Sequence, residues 1–170
     1  MMRKVVRQKL RVFTFLLTVF LILVSLVNEV FSVEPESMDL LAEKPPGICP
    51  QERNTPQAPE AFYKMTNPLE PTPDNLQAGK ALFKIDARPT ACKVCHGYGG
   101  DGMGIIFEQL IPRPRNFTCY YTMDEIPDGQ IYWIIKKGSP GTKMPAFRDL
   151  SDKEVWQLVL FIRQFSKKTK

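Results

Sequence analysis

The sequence predicts a small all-α domain over residues 74–170. Three observations lead to this prediction: apolar residues recur at helical spacing in three stretches, capping residues flank those stretches, and no useful length of alternating apolar and polar residues indicates a strand. The connections between the stretches are long and irregular. We therefore expect three to five helices, preceded by a hydrophobic leader and a proline-rich segment.

Residues 1–32 have the features of a signal peptide. Positions 1–11 are cationic, and Val12–Val27 is an uncharged, mostly apolar run of 16 residues, shorter than the roughly 20 that a membrane-spanning helix needs. The alternative to cleavage after Ser32 is an uncleaved N-terminal anchor formed by residues 12–27. In both cases we expect the rest of the chain in the periplasm or an equivalent extracytoplasmic compartment, bound to a membrane only if the leader stays uncleaved.

Residues 33–73 hold nine of the fifteen prolines of the chain. Prolines at this density interrupt helices and strand ladders, so the segment is predicted to be an extended arm. It leads into the three helices. The first begins at Asp74, the second covers Gly129–Lys137 and ends at Gly138, and the third opens at Ser151 with Glu154 completing a capping box.

Charge and composition exclude several classes of function. The formal net charge is +5, but the leader alone contributes five basic residues against one acidic residue, so the remainder is close to neutral. No basic patch with interleaved aromatic residues is present, and nucleic-acid binding is therefore not predicted. The chain has one histidine, which excludes any site that needs two histidines from this chain.

The strongest motif is Cys92-Lys93-Val94-Cys95-His96. C-x-x-C-H is the attachment signature of haem c, in which two thiols bond to the vinyl groups and the adjacent imidazole ligates the iron. A redox C-x-x-C would be expected in a βαβ setting, and a structural zinc site needs four ligands, neither of which the sequence offers. The sequence thus predicts one covalent haem c, bound by Cys92 and Cys95 with His96 as proximal ligand.

Around this motif, residues 74–170 resemble a class I monohaem cytochrome c domain. The matching segments are QAGKALF, CKVCHGYGGDGMG, PRPRNF, GTKMPAF and EVWQLVLFIRQF. The resemblance implies an electron carrier that cycles Fe(II)/Fe(III) in a respiratory chain, with redox proteins as partners and without catalytic residues. It also implies a crossing of the first and last helices, where Gly79 and Phe83 meet Leu158 and Phe161.

The same resemblance implies ligand roles. The family's axial methionine falls at Met144, in a glycine- and proline-containing loop, and the carbonyl that accepts the ring N–H of His96 is assigned to Pro112, with Ile111 or Pro114 as near alternatives. Haem propionates are expected to meet Arg113, Arg115 and Asn116. The pocket walls are expected to include Trp133 with three further aromatic residues, Phe117, Tyr132 and Phe147.

Cys119 is an alternative distal ligand. Once the haem takes two cysteines, Cys49 and Cys119 remain, and they are open to a mutual disulfide, a free buried thiol or an intermolecular bond. A Cys119 thiolate on the iron would lower the reduction potential. The alternative function is therefore a low-potential His/Cys-ligated haem protein that binds NO or CO, as one subunit of a heterodimer with a second small cytochrome. Met144 remains the favoured ligand.

Overall fold

A computed structural model describes residues 47–167, and within this range the chain forms helices and loops without a β-strand. The predicted all-α class is confirmed. The leader, its predicted cleavage after Ser32 and the first part of the arm lie outside the described residues.

Six α-helices and two short turns of other helical types follow one another in the described range. The α-helices are α1 (Glu60–Tyr63), α2 (Pro73–Ala81), α3 (Lys93–His96), α4 (Tyr120–Asp124), α5 (Asp128–Lys137) and α6 (Asp152–Ile162). A π-helical turn, Leu82–Asp86, extends α2, and a 3₁₀ turn covers Phe107–Gln109.

The first predicted helix begins earlier than expected. Thr72, not Asp74, is the N-cap of α2: its side chain accepts a hydrogen bond from the backbone N–H of Asn75 (3.3 Å), and Pro73 occupies the first helical position. Proline is favoured there because its missing N–H would have no partner inside the helix. Asp74 lies in the first turn, where its charge complements the helix dipole.

The predicted C-terminal end of α5 and the predicted start of α6 are confirmed, while α5 begins one residue earlier than expected, at Asp128. Ser151 and Glu154 form the capping box of α6, with each side chain accepting from the other's backbone N–H. Helix α5 ends at Gly138, whose φ of 76° lies in the region that favours glycine. Three short helices were missed: α1 inside the arm, α3 at the C-x-x-C-H motif and α4 in the proline-containing segment before α5.

Helices α2 and α6 share the largest interface between elements of the described chain, and they cross at a glycine. A Cβ at Gly79 would overlap the carbonyl oxygen of Gln157 and lie 2.9 Å from Cβ of Phe161. Phe83 is fully buried, and its ring centroid is 5.5 Å from that of Phe161. The expected crossing is therefore present, with the Gln157 backbone rather than Leu158 against Gly79.

The described part of the arm packs on the helices and belongs to the compact unit Pro45–Lys170. Met65 accepts a hydrogen bond from the N–H of Gly129 (3.1 Å), and the side-chain amide of Asn67 donates to the carbonyl of Trp156 (2.9 Å). No helix within residues 47–167 combines the length and apolar character needed to cross a bilayer.

The α2–α6 crossing leads to a stability prediction. Gly79→Ala should lower the free energy of unfolding of the mature protein by about 1–3 kcal/mol, because the added methyl group forces two packed backbones apart. The matched control is Gly99→Ala, since a Cβ there meets only the Asp101 carboxylate at 4.0 Å. Denaturant unfolding measures both, and equal effects of the two variants would contradict the close approach at Gly79.

Candidate cofactor site

A cavity of about 540 Å³ lies between the helices and the arm. Cys92, Cys95, His96 and Met144 all line it, so the structure brings the four principal predicted residues together. The remaining wall is largely apolar, with contributions from the π-helical turn, the segment before α4, helix α5 and the loop after it. This volume is within the range of cofactor pockets.

The C-x-x-C-H motif forms the short helix α3, and the loop after it folds back on the motif. The carbonyl of His96 accepts from Gly102 (2.8 Å), and that of Cys95 accepts from Gly104 (3.0 Å). Burial raises the pKa of Cys92 to about 12 and also raises the pKa of Cys95. Both sulfurs are therefore thiols at neutral pH, unlike the nucleophilic cysteine of a redox C-x-x-C, whose pKa is lowered.

The ring of His96 is fixed by two contacts. Its Nδ1 lies 3.0 Å from the carbonyl oxygen of Arg115, and its ring stacks on Phe117 with centroids 4.5 Å apart. A carbonyl only accepts, so Nδ1 bears the proton and Nε2 keeps its lone pair. The assignment of this carbonyl to Pro112 was wrong: Pro112 lines the cavity, but the bond is made by Arg115.

His96 is neutral at physiological pH. Burial lowers its pKa to about 4; the bond to the Arg115 carbonyl raises it, and the charges of Arg53 and Arg115 lower it. His96 is one of the residues that line the cavity. Neutral imidazole is the form that ligates metals, so the environment maintains the state that a proximal ligand requires.

Met144 lies in a loop that is held by two hydrogen bonds of the Met144 backbone. Its carbonyl accepts from the N–H of Ser139 (3.2 Å), and its N–H donates to Oγ1 of Thr142 (3.1 Å). Gly138 makes room for this arrangement, because a Cβ there would lie 2.9 Å from the Met144 carbonyl oxygen. The loop thus presents a thioether to the cavity from a defined backbone position.

Cys119 is joined to Cys49 by a disulfide, with 5.4 Å between their Cα atoms. Of the alternatives for these two cysteines, the structure contains the mutual disulfide. Cys119 is buried and does not line the cavity. A disulfide sulfur provides no thiolate, so the alternative distal ligand Cys119 is not available to iron in this structure.

The expected propionate partners separate into one that faces the cavity and two that do not. Arg115 lines it. Arg113 points elsewhere, with its guanidinium 4.9 Å from the centre of the Phe107 ring. Asn116 is fully buried, and its side chain donates to the Ile48 carbonyl (3.1 Å) and accepts from the N–H of Thr118 (2.9 Å). The side chain of Asn116 therefore bonds to backbone groups of the protein and does not face the cavity.

Trp133 is not a wall of the cavity. Helix α5 faces the cavity with the side chains at positions 130, 131, 134 and 135, which share one face at helical spacing, and Trp133 lies off that face. Tyr132 also lies off it and stacks on Trp156 with centroids 4.4 Å apart. Phe117 and Phe147 do line the cavity, as expected.

Sequence reasoning missed a polar wall formed by the arm. Every second residue from Gln51 to Gln57 lines the cavity: Gln51, Arg53, Thr55 and Gln57. This period of two is typical of extended backbone, in which alternate side chains point the same way. The sequence gives little signal for this alternation, because Glu52 and Asn54 between these positions are polar too; the one distinctive residue is Arg53, the sole arginine of residues 33–73.

The all-α fold, the C-x-x-C-H helix and the facing methionine loop define a cytochrome c domain of class I type. A family model described as "Cytochrome C oxidase, cbb3-type, subunit III" matches residues 74–162, and the chain belongs to this family. Cytochromes c of this kind hold haem c covalently.

Among solved structures, a chain of the Kuenenia stuttgartiensis reducing HAO-like protein complex Kustc0457/Kustc0458 is similar, with 28% identity and a TM-score of 0.52. The alignment covers 59% of this chain and 47% of that chain, so the similarity spans about half of the matched chain. No curated protein matches this chain significantly.

The residues of the cavity fit a haem c. It offers two neutral thiols spaced as the vinyl groups require, an imidazole with a free Nε2, a thioether and a mainly apolar lining. Within residues 47–167, no cluster of three His, Cys, Asp or Glu side chains could hold a bare metal ion, which gives the zinc alternative no support.

The disulfide leads to a spectroscopic prediction. Replacing both of its cysteines, in Cys49→Ser/Cys119→Ser, should leave the ligand-dependent bands of the ferric protein unchanged, because neither sulfur faces the cavity. The free energy of unfolding should fall by roughly 2–5 kcal/mol, since the bond closes a long loop. Optical and EPR spectra measure the first effect and denaturant unfolding the second. Loss of a thiolate signature would reinstate Cys119 as a ligand.

Proposed function

We propose that this chain is an electron carrier with one haem c, bonded to Cys92 and Cys95 and ligated by His96 and Met144. One observation supports this most: these four side chains open on a single cavity of suitable size. When bound, haem c supplies a one-electron Fe(III)/Fe(II) couple whose potential the axial ligands set.

The chain's own residues position the two ligands and exclude water. The Arg115 carbonyl holds the His96 proton on Nδ1, which directs Nε2 towards the cavity and increases the basicity of the ring. An apolar part of the cavity wall is formed by Ile131, Ile135 and Phe147. It lowers the local dielectric constant. A buried thioether and imidazole favour a raised potential, which suits a carrier in a respiratory chain.

We also propose an extracytoplasmic location, which the Cys49–Cys119 disulfide supports because disulfides persist in oxidising compartments. Redox proteins are the proposed partners. The similar solved chain is part of a complex of two proteins, which supports pairing with a second protein as a further proposal.

Covalent attachment leads to a prediction about the four cysteines. Cys92→Ala/Cys95→Ala should abolish haem staining of the chain after denaturing electrophoresis, because no thiol remains to bond the vinyl groups. The matched control removes the other cysteine pair, Cys49→Ser/Cys119→Ser, and should keep the stain. A stained chain without Cys92 and Cys95 would refute the attachment.

Distal ligation leads to a prediction about two methionines that both line the cavity. Met144→Leu should remove the far-red Met–iron absorption band of the ferric protein and lower the reduction potential, since the thioether ligand is lost. Met123→Leu, which keeps the volume of a buried side chain, should retain the band. If the band survives in Met144→Leu and disappears in Met123→Leu, the assignment belongs to Met123.

A further inference from the structure

The arm segment 51–57 forms the polar wall of the cavity, yet it precedes the residues that match the family, 74–162. Gln51 fixes it at one end: its amide donates to the carbonyl of Pro114 (2.9 Å), and its Oε1 accepts from the N–H of Asn116 (2.8 Å). Gln130 of α5 fixes the other end by bonding the N–H of Ala58 and the carbonyl of Pro56.

Two arginines face the cavity side by side. Arg53 donates to the backbone carbonyl of Arg113 (2.5 Å), and Arg115 donates to Oγ1 of Thr55 (3.2 Å). Both are half-buried. Within residues 47–167, neither guanidinium forms an ion pair with a carboxylate. Burial lowers the pKa of each, and the charge of Arg53 lowers that of Arg115, to about 10. Both remain cations at neutral pH.

The charge of the cavity wall is unbalanced. Its charged side chains in the described range are Arg53, Arg115, Lys143 and Glu125, which leaves an excess of two positive charges. Half-buried like charges are costly unless an anion neutralises them. Two carboxylates are the ligand that matches this excess, and planar guanidinium groups bind carboxylates in bidentate fashion.

We propose that Arg53, from the arm, completes a two-arginine site with Arg115 for the propionate carboxylates of haem c, and that the Cys49–Cys119 disulfide positions Arg53 there. The disulfide lies four residues before Arg53 and bonds the arm to the segment after Arg115. This inference rests on the proposed haem binding. It assigns part of the cofactor site to a segment outside the family's domain.

The test is the reduction potential of the mature holoprotein, measured by spectroelectrochemical titration. Arg53→Gln should shift the Fe(III)/Fe(II) equilibrium towards the ferric state by about threefold to tenfold, because a cation near the site opposes the extra positive charge of ferric iron. Tenfold corresponds to about 59 mV for one electron. Arg53→Lys should keep most of the wild-type potential, since it keeps the charge.

Arg113→Gln is the matched control, because it removes an exposed arginine of the adjacent segment whose side chain does not line the cavity. It should shift the potential by less than twofold. Equal shifts in Arg53→Gln and Arg113→Gln, or none in Arg53→Gln, would overturn the proposal. If Arg53→Gln yields no holoprotein while Arg53→Lys does, the need for a cation at this position is supported. If neither variant yields holoprotein, the role of Arg53 is its hydrogen bond to the Arg113 carbonyl, and the proposed propionate site is overturned.

The positioning role of the disulfide is tested by a double-mutant cycle. Cys49→Ser/Cys119→Ser should lower the potential in the same direction as Arg53→Gln, and combining the three substitutions should add little, because the arm must be in place for Arg53 to act. Additive shifts would refute positioning by the disulfide.

Failure of this inference is distinguishable from failure of the proposed function. If the wild-type chain has covalent haem and a band that depends on Met144, but its potential is insensitive to Arg53, only the propionate site is refuted. A wild-type chain without covalent haem would instead refute the proposed function.

Discussion

The non-helical backbone of residues 113–116 is the element on which the candidate site depends, because side chains of the arm and of α3 both bond to it. Its consecutive carbonyl groups accept hydrogen bonds from Arg53, Gln51 and His96. Prolines at two nearby positions keep this segment out of a helix, so its carbonyls have no helical partners and are free for these donors. The orientation of the His96 imidazole and the docking of the arm therefore depend on the same short stretch of main chain.

Local signals explain which parts of the fold could be predicted. The capping box of Ser151 and the glycine at 138 act within one turn of backbone, so the sequence alone predicts where α6 begins and α5 ends. Helix α4 has five residues, too few for apolar periodicity to be recognised. At the start of α2, Thr72 and Asp74 are both residue types that can cap a helix. Thr72 is the N-cap because Pro73, whose fixed φ suits the first helical position, follows it.

In the candidate site too, features formed by neighbouring residues could be predicted, and features that depend on long-range contacts could not. The C-x-x-C-H motif and the Met144 loop are each contiguous in sequence, so local patterns identify them, and residues of both line the cavity. Sequence spacing could not identify which carbonyl of residues 111–115 accepts the hydrogen bond from His96, because a non-helical segment presents several neighbouring carbonyl groups without partners of their own. The pairing of Cys49 with Cys119 depends on the arm docking, which is a long-range contact. Residues 51–55 are all polar, so the sequence alone does not show which of their side chains face a cavity; that depends on how the arm docks.

The arm adds polar chemistry to a cavity whose lining is otherwise mostly apolar. Helices and loops of the family's domain supply most of the apolar lining together with Arg115, and the arm adds amides, a hydroxyl and a second arginine. A haem has the same asymmetry, with an apolar macrocycle and an anionic edge. Covering that edge with a helix would require charged residues on a face that must also pack in a small core, where an unpaired charge is costly. An extended segment avoids this conflict, since alternate residues face the cavity and the solvent. The arm can therefore change the electrostatics of the site while the helix crossing at Gly79 stays as it is.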